Sequence, residues 1–252
     1  MLKKWMIGLL TVVVLQGCAS SGGTARKYDA FKGDDILSSK QEHIMKMSGN
    51  WKGLIPLYKQ QLQRYETDDV REKLGRAYLM SGDPESAIFT IEPILENAYP
   101  TVVSRVIHAS ALFDLGDSAQ AKKILIETYR TEAPRNGEIE NLLGIIHAQE
   151  HEFDVARDYF NLARRHYYND NTVRNNLAVV DILESNYETA VRRLASIDMK
   201  GKRDQQLEAN LAIAMAKRGE MHYVRGMLDS SLSREQANAV YEAIRDADLT
   251  AY

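Results

Sequence analysis

A period of about 34 residues runs through most of this 252-residue chain and constrains its fold more than any other feature. Five segments begin with a residue pair whose second member is Gly or Ala, at spacings of 34, 35, 34 and 34 residues. The pairs are Leu74-Gly75, His108-Ala109, Leu143-Gly144, Leu177-Ala178 and Leu211-Ala212. A fixed period of this length indicates one repeated supersecondary unit, and neighbouring units bury each other's apolar faces.

Each repeat also contains a second apolar pattern and a turn. A small or apolar residue follows thirteen positions after the first member of each pair, and a larger apolar one stands four positions further on. These residues are Ala87, Ala121, Ala156, Ala190 and Val224, followed by Ile91, Leu125, Phe160, Leu194 and Leu228. Turn signals such as Ser81-Gly82-Asp83-Pro84 lie between, with Asp83 placed to cap a helix and Pro84 at its first position. Each unit is therefore predicted to be helix, turn, helix.

This pattern resembles the tetratricopeptide repeat, best in the segment that contains Leu74, Gly75, Tyr78, Gly82 and Ala87. The resemblance implies an all-α solenoid, a right-handed superhelix of about five to six units whose first helices line a concave groove. Six windows span residues 34–238, the first of them weak, and the Ser233-to-Gln236 spacing predicts a C-terminal capping helix. A helical bundle with chance spacing is the alternative. The windows leave no room for a separate catalytic domain.

The N-terminus predicts a lipoprotein leader. Lys3 and Lys4 precede about ten mostly apolar residues, too few for the ~20 that span a bilayer. The run ends at Gly17-Cys18, which resembles a bacterial lipobox, and the single cysteine of the chain also excludes a disulfide framework. We predict a signal peptide at 1–17, a lipidated tether at 18–33 and a repeat domain at 34–252. A secreted protein with an incidental cysteine and an uncleaved inner-membrane anchor are alternatives.

The same segment predicts where the protein is held. Several acyl chains on Cys18 would anchor it firmly, at ~0.8 kcal/mol per buried CH₂. Ala19 resembles the pattern sorted to the outer membrane, so we expect the periplasmic face of that membrane. We expect no cofactor other than this covalent lipid.

The sequence gives little support for catalysis, metal binding or nucleic-acid binding. The net charge is −3, and the basic pairs Arg164-Arg165 and Arg192-Arg193 recur where helices are predicted to end, which favours a helix-dipole role over a nucleic-acid stripe. His147 and His151 are four residues apart, as in a metal site, but they lack a third ligand. We therefore predict neither a metal site nor an enzyme.

The predicted binding surface is the groove. Positions of the first helices that face it in this repeat family combine apolar residues with asparagines, which suits an extended or helical protein segment. The predicted groove residues are Arg76, Met80, Val106, Phe113, Asn141, Ile145, Asn175, Val179, Ile182, Asn210 and Ile213. The alternative, for each residue, is that it packs against a neighbouring unit. Glu72 and Arg76 replace the residues of a carboxylate clamp, so we do not expect a C-terminal carboxylate as ligand.

Two local stretches, 172–194 and 232–247, together with lipobox and repeats, resemble the TadD lipoproteins of the tight-adherence (Tad) pilus system. The resemblance implies an outer-membrane lipoprotein required for assembly of Flp-type pili, with a secretin or other pilus-machine protein as partner. The alternatives are a lipoprotein similar to type IV pilus pilotins and an adaptor for cell-wall or envelope enzymes.

Overall fold

The computed structural model describes residues 39–197, 205–228 and 232–247, and its regular secondary structure within these ranges is helical. The chain divides into two compact units, Met1–Asn50 and Trp51–Tyr252. In the first unit, residues 39–47 form helix α1. The predicted leader and tether, with Cys18, lie outside the described residues. Among the described helices, none combines the length and apolar character that a membrane crossing requires.

The second unit consists of successive antiparallel helix pairs. Its helices are α2 (Trp51–Arg64), α3 (Asp68–Met80), α4 (Pro84–Leu95), α5 (Val102–Asp114), α6 (Ser118–Thr131), α7 (Gly137–Gln149), α8 (Phe153–Arg165), α9 (Asp170–Leu183), α10 (Tyr187–Ala195), α11 (Gln205–Lys217), α12 (Met221–Met227) and α13 (Arg234–Asp246). The five predicted helix–turn–helix units correspond to the pairs from α3/α4 to α11/α12. The weak first window, 34–67, is divided by the boundary between the two units.

Helix ends form where the sequence places capping residues. Asp83 accepts a hydrogen bond from the Ser86 amide at 3.0 Å, and Pro84 is the first residue of α4. Ser233 and Gln236 form the predicted capping box at the start of α13. Helix α13 contacts both α11 and α12, so it covers the last pair as a capping helix.

The recurrent residues of the two sequence patterns form the interior. The small residues Ala87, Ala121, Ala156, Ala190 and Val224 are fully buried. Their larger partners Ile91, Leu125, Phe160 and Leu194 are buried as well, and Leu228 is partly buried. These residues form successive clusters along the chain, and each cluster joins helices of neighbouring units.

Glycine at the repeat pairs allows two helices to approach closely. A Cβ atom added to Gly144 would lie 2.6 Å from Cε1 of Phe160, and one added to Gly75 would lie 2.7 Å from Cγ2 of Ile91. In the units where the second helix presents a leucine, the corresponding residues Ala109 and Ala178 are accommodated and fully buried. The size of the residue at this position therefore matches the side chain opposite.

We expect Gly144→Ala to destabilise the protein. Overpacking against the buried Phe160 ring costs about 1–3 kcal/mol, and the higher helix propensity of alanine recovers at most about 1 kcal/mol. Urea denaturation followed by circular dichroism measures the difference. Gly226→Ala in α12 is the matched control, since an added Cβ there meets no atom within 4 Å. A Gly144→Ala protein as stable as the Gly226→Ala protein would contradict this close approach.

Candidate functional site

The first helices of the pairs form a row. Helices α3, α5, α7, α9 and α11 each contact the next member of the row. Two side-chain hydrogen bonds join the last three. Asn176 Nδ2 donates to Asn141 Oδ1 at 2.9 Å, and Asn210 Nδ2 donates to Asn175 Oδ1 at 3.0 Å. Each bond joins residues 35 positions apart, so amide pairs fix the register of neighbouring units.

Apolar side chains lie among these amides. Ile145, Val179 and Ile213 are partly buried and retain some surface, although Ile145 and Ile213 also pack against core clusters. A carboxamide has two donor hydrogens and an acceptor oxygen, and the described structure gives each asparagine one side-chain hydrogen bond. We call this surface the inner face, comprising Ile145, Asn175, Asn176, Val179, Asn210 and Ile213. It combines apolar contact area with unused hydrogen-bonding capacity.

Three predicted groove residues are not available to a partner. Val106, Asn141 and Ile182 have exposed fractions of only 2%, 3% and 5%. Val106 and Ile182 belong to core clusters, because their side chains point between helices instead of away from the row. Asn141 contributes to the inner face through its hydrogen bond with Asn176 and not through its surface. Phe113 is partly buried and packs on the same core as Val106.

An ion pair bridges the N-terminal part of the row. Arg76 Nη1 of α3 lies 2.5 Å from Glu138 Oε1 of α7, and Nη2 lies 3.2 Å from Oε2. The two residues are 62 positions apart and belong to helices separated in the row by α5. Burial and the charge of Glu138 raise the pKa of the nearby Tyr168 phenol. The ion pair of Arg76 with Glu138 joins two units of the solenoid. Met80, one turn further along α3, is exposed.

A buried carboxylate joins three elements behind the inner face. Glu140 of α7 is fully buried and accepts a hydrogen bond from the Tyr129 hydroxyl at 2.7 Å. His166 Nδ1, just beyond α8, lies 2.7 Å from the other carboxylate oxygen. Burial and the Glu140 carboxylate raise the pKa of Tyr129 to about 12, so the phenol keeps its proton to a higher pH than a free tyrosine does.

The two histidines that are spaced four residues apart make separate contacts in the described structure. His151 adopts a left-handed conformation in the turn after α7, with φ +60°, and its ring lies edge-on to Phe153. The ring of His147 stacks on Tyr159 with centroids 5.3 Å apart. Packing and turn formation therefore account for both histidines.

A different acidic group surrounds His147. Its Nδ1 and carboxylate oxygens of Glu150 and Glu152 lie within 4.8 Å of one another. The Lys122 ammonium is 2.5 Å from Glu150 and 3.9 Å from Glu152, so this cation offsets part of the negative charge of the two carboxylates. The hydrogen bond with His147 lowers the pKa of Glu152. These side chains form an ion-pair network between α6 and the α7–α8 turn.

Sequence reasoning missed Glu138 and Glu140, although one signal pointed to Glu140. It shares a helical face with Leu143 and His147, at positions i, i+3 and i+7, and a charged residue within an apolar stripe is expected to be buried with a partner. Glu138 gave no such signal, because its partner Arg76 lies two units away.

Comparison with known proteins gives the fold. No protein-family model and no curated protein matches the chain. Among solved structures, TTC0263, a thermophilic tetratricopeptide-repeat protein of Thermus thermophilus, is 17% identical with a TM-score of 0.60, covering 71% of this chain and 96% of its own. PilF of Pseudomonas aeruginosa is 14% identical with a TM-score of 0.52, covering 76% of this chain and 86% of its own.

A third similar structure is the APC/C hetero-tetramer Cut9–Hcn1. It is 14% identical with a TM-score of 0.61, and the match covers 77% of this chain but only 39% of that one. Likenesses at this level of identity establish the fold alone. With the repeated helix pairs and their buried alanines, they establish that this chain has the all-α fold of tetratricopeptide-repeat proteins.

Proposed function

We propose that this protein is a membrane-tethered interaction scaffold that assists assembly of a Flp-type tight-adherence pilus by capturing a segment of a secretin subunit or of another pilus-machine protein. The observation that carries the proposal is the inner face, where partly exposed Ile145, Val179 and Ile213 alternate with asparagine amides. The resemblance of the sequence to tight-adherence lipoproteins supplies the biological setting. The scaffold acts without a cofactor and without catalysis.

The chemistry of the inner face suits a protein segment in extended or helical form. Burying apolar side chains of the segment against Val179 and its neighbours gains about 25 cal/mol per Å² of apolar surface. The free amide hydrogens and oxygens then pair with polar groups of the segment's backbone, which otherwise lose their water without compensation. Since the amides already hold the units in register, the face is ordered before the partner arrives.

We expect Ile145→Asp and Val179→Asp, combined, to abolish capture. Each substitution removes an apolar contact and places a carboxylate where the partner would desolvate it, a loss of at least about tenfold in affinity per residue. Co-purification of the pilus secretin and counts of surface pili measure the effect, and circular dichroism verifies the helical content. Val155→Asp on the exposed surface of α8 is the control with the same chemical change. Capture equal to that of the control would place the binding surface elsewhere.

The proposed lipid anchor raises the local concentration of the protein near a membrane-bound partner. Tethering at the membrane turns the encounter with a membrane-bound partner into a nearly intramolecular event, which raises the effective concentration without a new contact. We expect Cys18→Ser to release the protein from the outer-membrane fraction and to reduce piliation strongly. Metabolic labelling with palmitate and membrane fractionation test this directly. Unchanged fractionation and piliation of the Cys18→Ser protein would contradict the anchor.

A further inference from the structure

An open cavity of about 420 Å³ lies between α8, α9 and α10. Four arginines and two hydroxyl side chains line it: Arg164, Arg174, Thr189, Arg192, Arg193 and Ser196. All of these lining residues are polar. Its volume falls in the range of small-molecule sites, roughly 300–1,000 Å³.

The carboxylates near this cavity do not neutralise its guanidinium groups. Asp170 is shared between Arg164 and Arg174, with Nε-to-oxygen distances of 2.7 Å to each. Asp181 is likewise shared, between Arg193 and Arg157. Among the described residues, Arg192 has no carboxylate partner and only donates to the Thr189 hydroxyl at 3.2 Å. The cavity therefore keeps an excess of positive charge.

Two of the arginines keep hydrogen-bond donors for a ligand. Asp170 pairs with Arg164 and Arg174 through their Nε atoms, at 2.7 Å each. A guanidinium has five N–H donors, so both arginines retain further donors beside the cavity. Arg174 Nη1 donates to the Ser196 hydroxyl at 3.1 Å, which holds this guanidinium against the cavity wall.

We propose that this cavity binds a small polar molecule that carries a phosphate group. Guanidinium groups pair with phosphate oxygens through two parallel hydrogen bonds, and hydroxyls such as those of Thr189 and Ser196 accept and donate at the remaining oxygens. Four arginines from three helices converge on one space, whereas a solvated helix end would let them spread into water. Arg192 and Arg193 lie in the last turn of α10, as the sequence predicted, and in this proposal they contact the ligand as well.

The cavity favours a compact phosphate compound over an acidic protein segment. A bound segment needs apolar pockets for its side chains along an elongated groove, and the lining residues offer none. Two kinds of ligand carry such a phosphate group. One is a soluble organic phosphate, and the other is the phosphate headgroup of a membrane lipid, which a tethered protein meets at high local concentration.

Titration calorimetry on the full chain in non-ionic detergent tests the proposal. Inorganic phosphate and glycerol 3-phosphate are the soluble probes, and detergent micelles containing phosphatidylglycerol, against micelles containing uncharged diacylglycerol, are the lipid probe. Arg192→Gln removes the guanidinium that has no carboxylate partner among the described residues and leaves the ion pairs of Asp170 and Asp181 in place. Arg130→Gln, at the exposed C-terminal end of α6, is the matched control.

We expect saturable binding of one phosphate compound per chain, weakened about tenfold or more by Arg192→Gln and unchanged by Arg130→Gln. Binding of glycerol 3-phosphate identifies a soluble ligand, and binding of phosphatidylglycerol micelles alone identifies a headgroup. Absence of binding by every phosphate probe, or equal weakening by both variants, overturns the proposal. Tighter binding of a hexaglutamate peptide than of any phosphate probe also overturns it, in favour of a protein-docking surface.

Discussion

Replacing Phe160 by alanine is expected to lower the free energy of unfolding by about 3–5 kcal/mol. The ring is only 1% exposed and lies in the cluster formed with Ala156, Ala163 and Leu177. It also fills the space left by Gly144, so the truncation leaves a cavity that the helices cannot close without losing their other contacts. Because each unit of a solenoid is stabilised by its neighbours, the loss should also weaken the adjoining units.

Urea denaturation followed by far-ultraviolet circular dichroism measures this loss. Phe89→Ala in α4 is the control, since that ring is 77% exposed and its removal should change stability by less than about 0.5 kcal/mol. Equal midpoints for the two variants would contradict the placement of Phe160 in the interior.

The second large effect is expected from replacing Glu140 by alanine, which should lower the free energy of unfolding by about 2–4 kcal/mol. The carboxylate is fully buried between α6, α7 and the end of α8, and its removal strands the Tyr129 hydroxyl and the His166 ring without their acceptor. An unpaired polar group in a buried site costs its desolvation energy, and the alanine leaves a cavity in addition.

The neighbouring Tyr129→Phe variant separates the parts of this effect. It removes one hydrogen bond to Glu140 and keeps the ring, so we expect a loss of only about 1 kcal/mol. Thermal and urea denaturation of both variants give the comparison. A Glu140→Ala protein that is no less stable than Tyr129→Phe would show that the carboxylate is not holding the three elements together.

Local sequence signals predicted the fold to a large extent. The Gly-or-Ala pair, the later alanine and the larger apolar residue occur within one unit, and the periodicity alone places them inside. Asp83 with Pro84, and Ser233 with Gln236, marked helix starts because their capping bonds span only three residues. The structure confirms each of these elements.

The candidate site was less predictable because it depends on contacts between units. Val106 and Ile182 occupy groove positions by repeat numbering, yet both are buried, since small differences in helix rotation decide whether a side chain faces out or between helices. The Arg76–Glu138 pair joins residues 62 positions apart. No local pattern encodes such a distance, and the convergence of Arg164, Arg174 and Arg192 on one cavity has the same origin.

Photocrosslinking in living cells tests the central claim, capture of a pilus-machine segment on the inner face, most directly. A photoreactive amino acid replaces Val179 on the inner face in one strain and the exposed Val155 of α8 in the other, with lipidation intact. The account predicts adducts with the tight-adherence secretin or its pilus partners from position 179 and none from position 155. Adducts with type IV pilus components or cell-wall enzymes, or equal adducts from both positions, would contradict it.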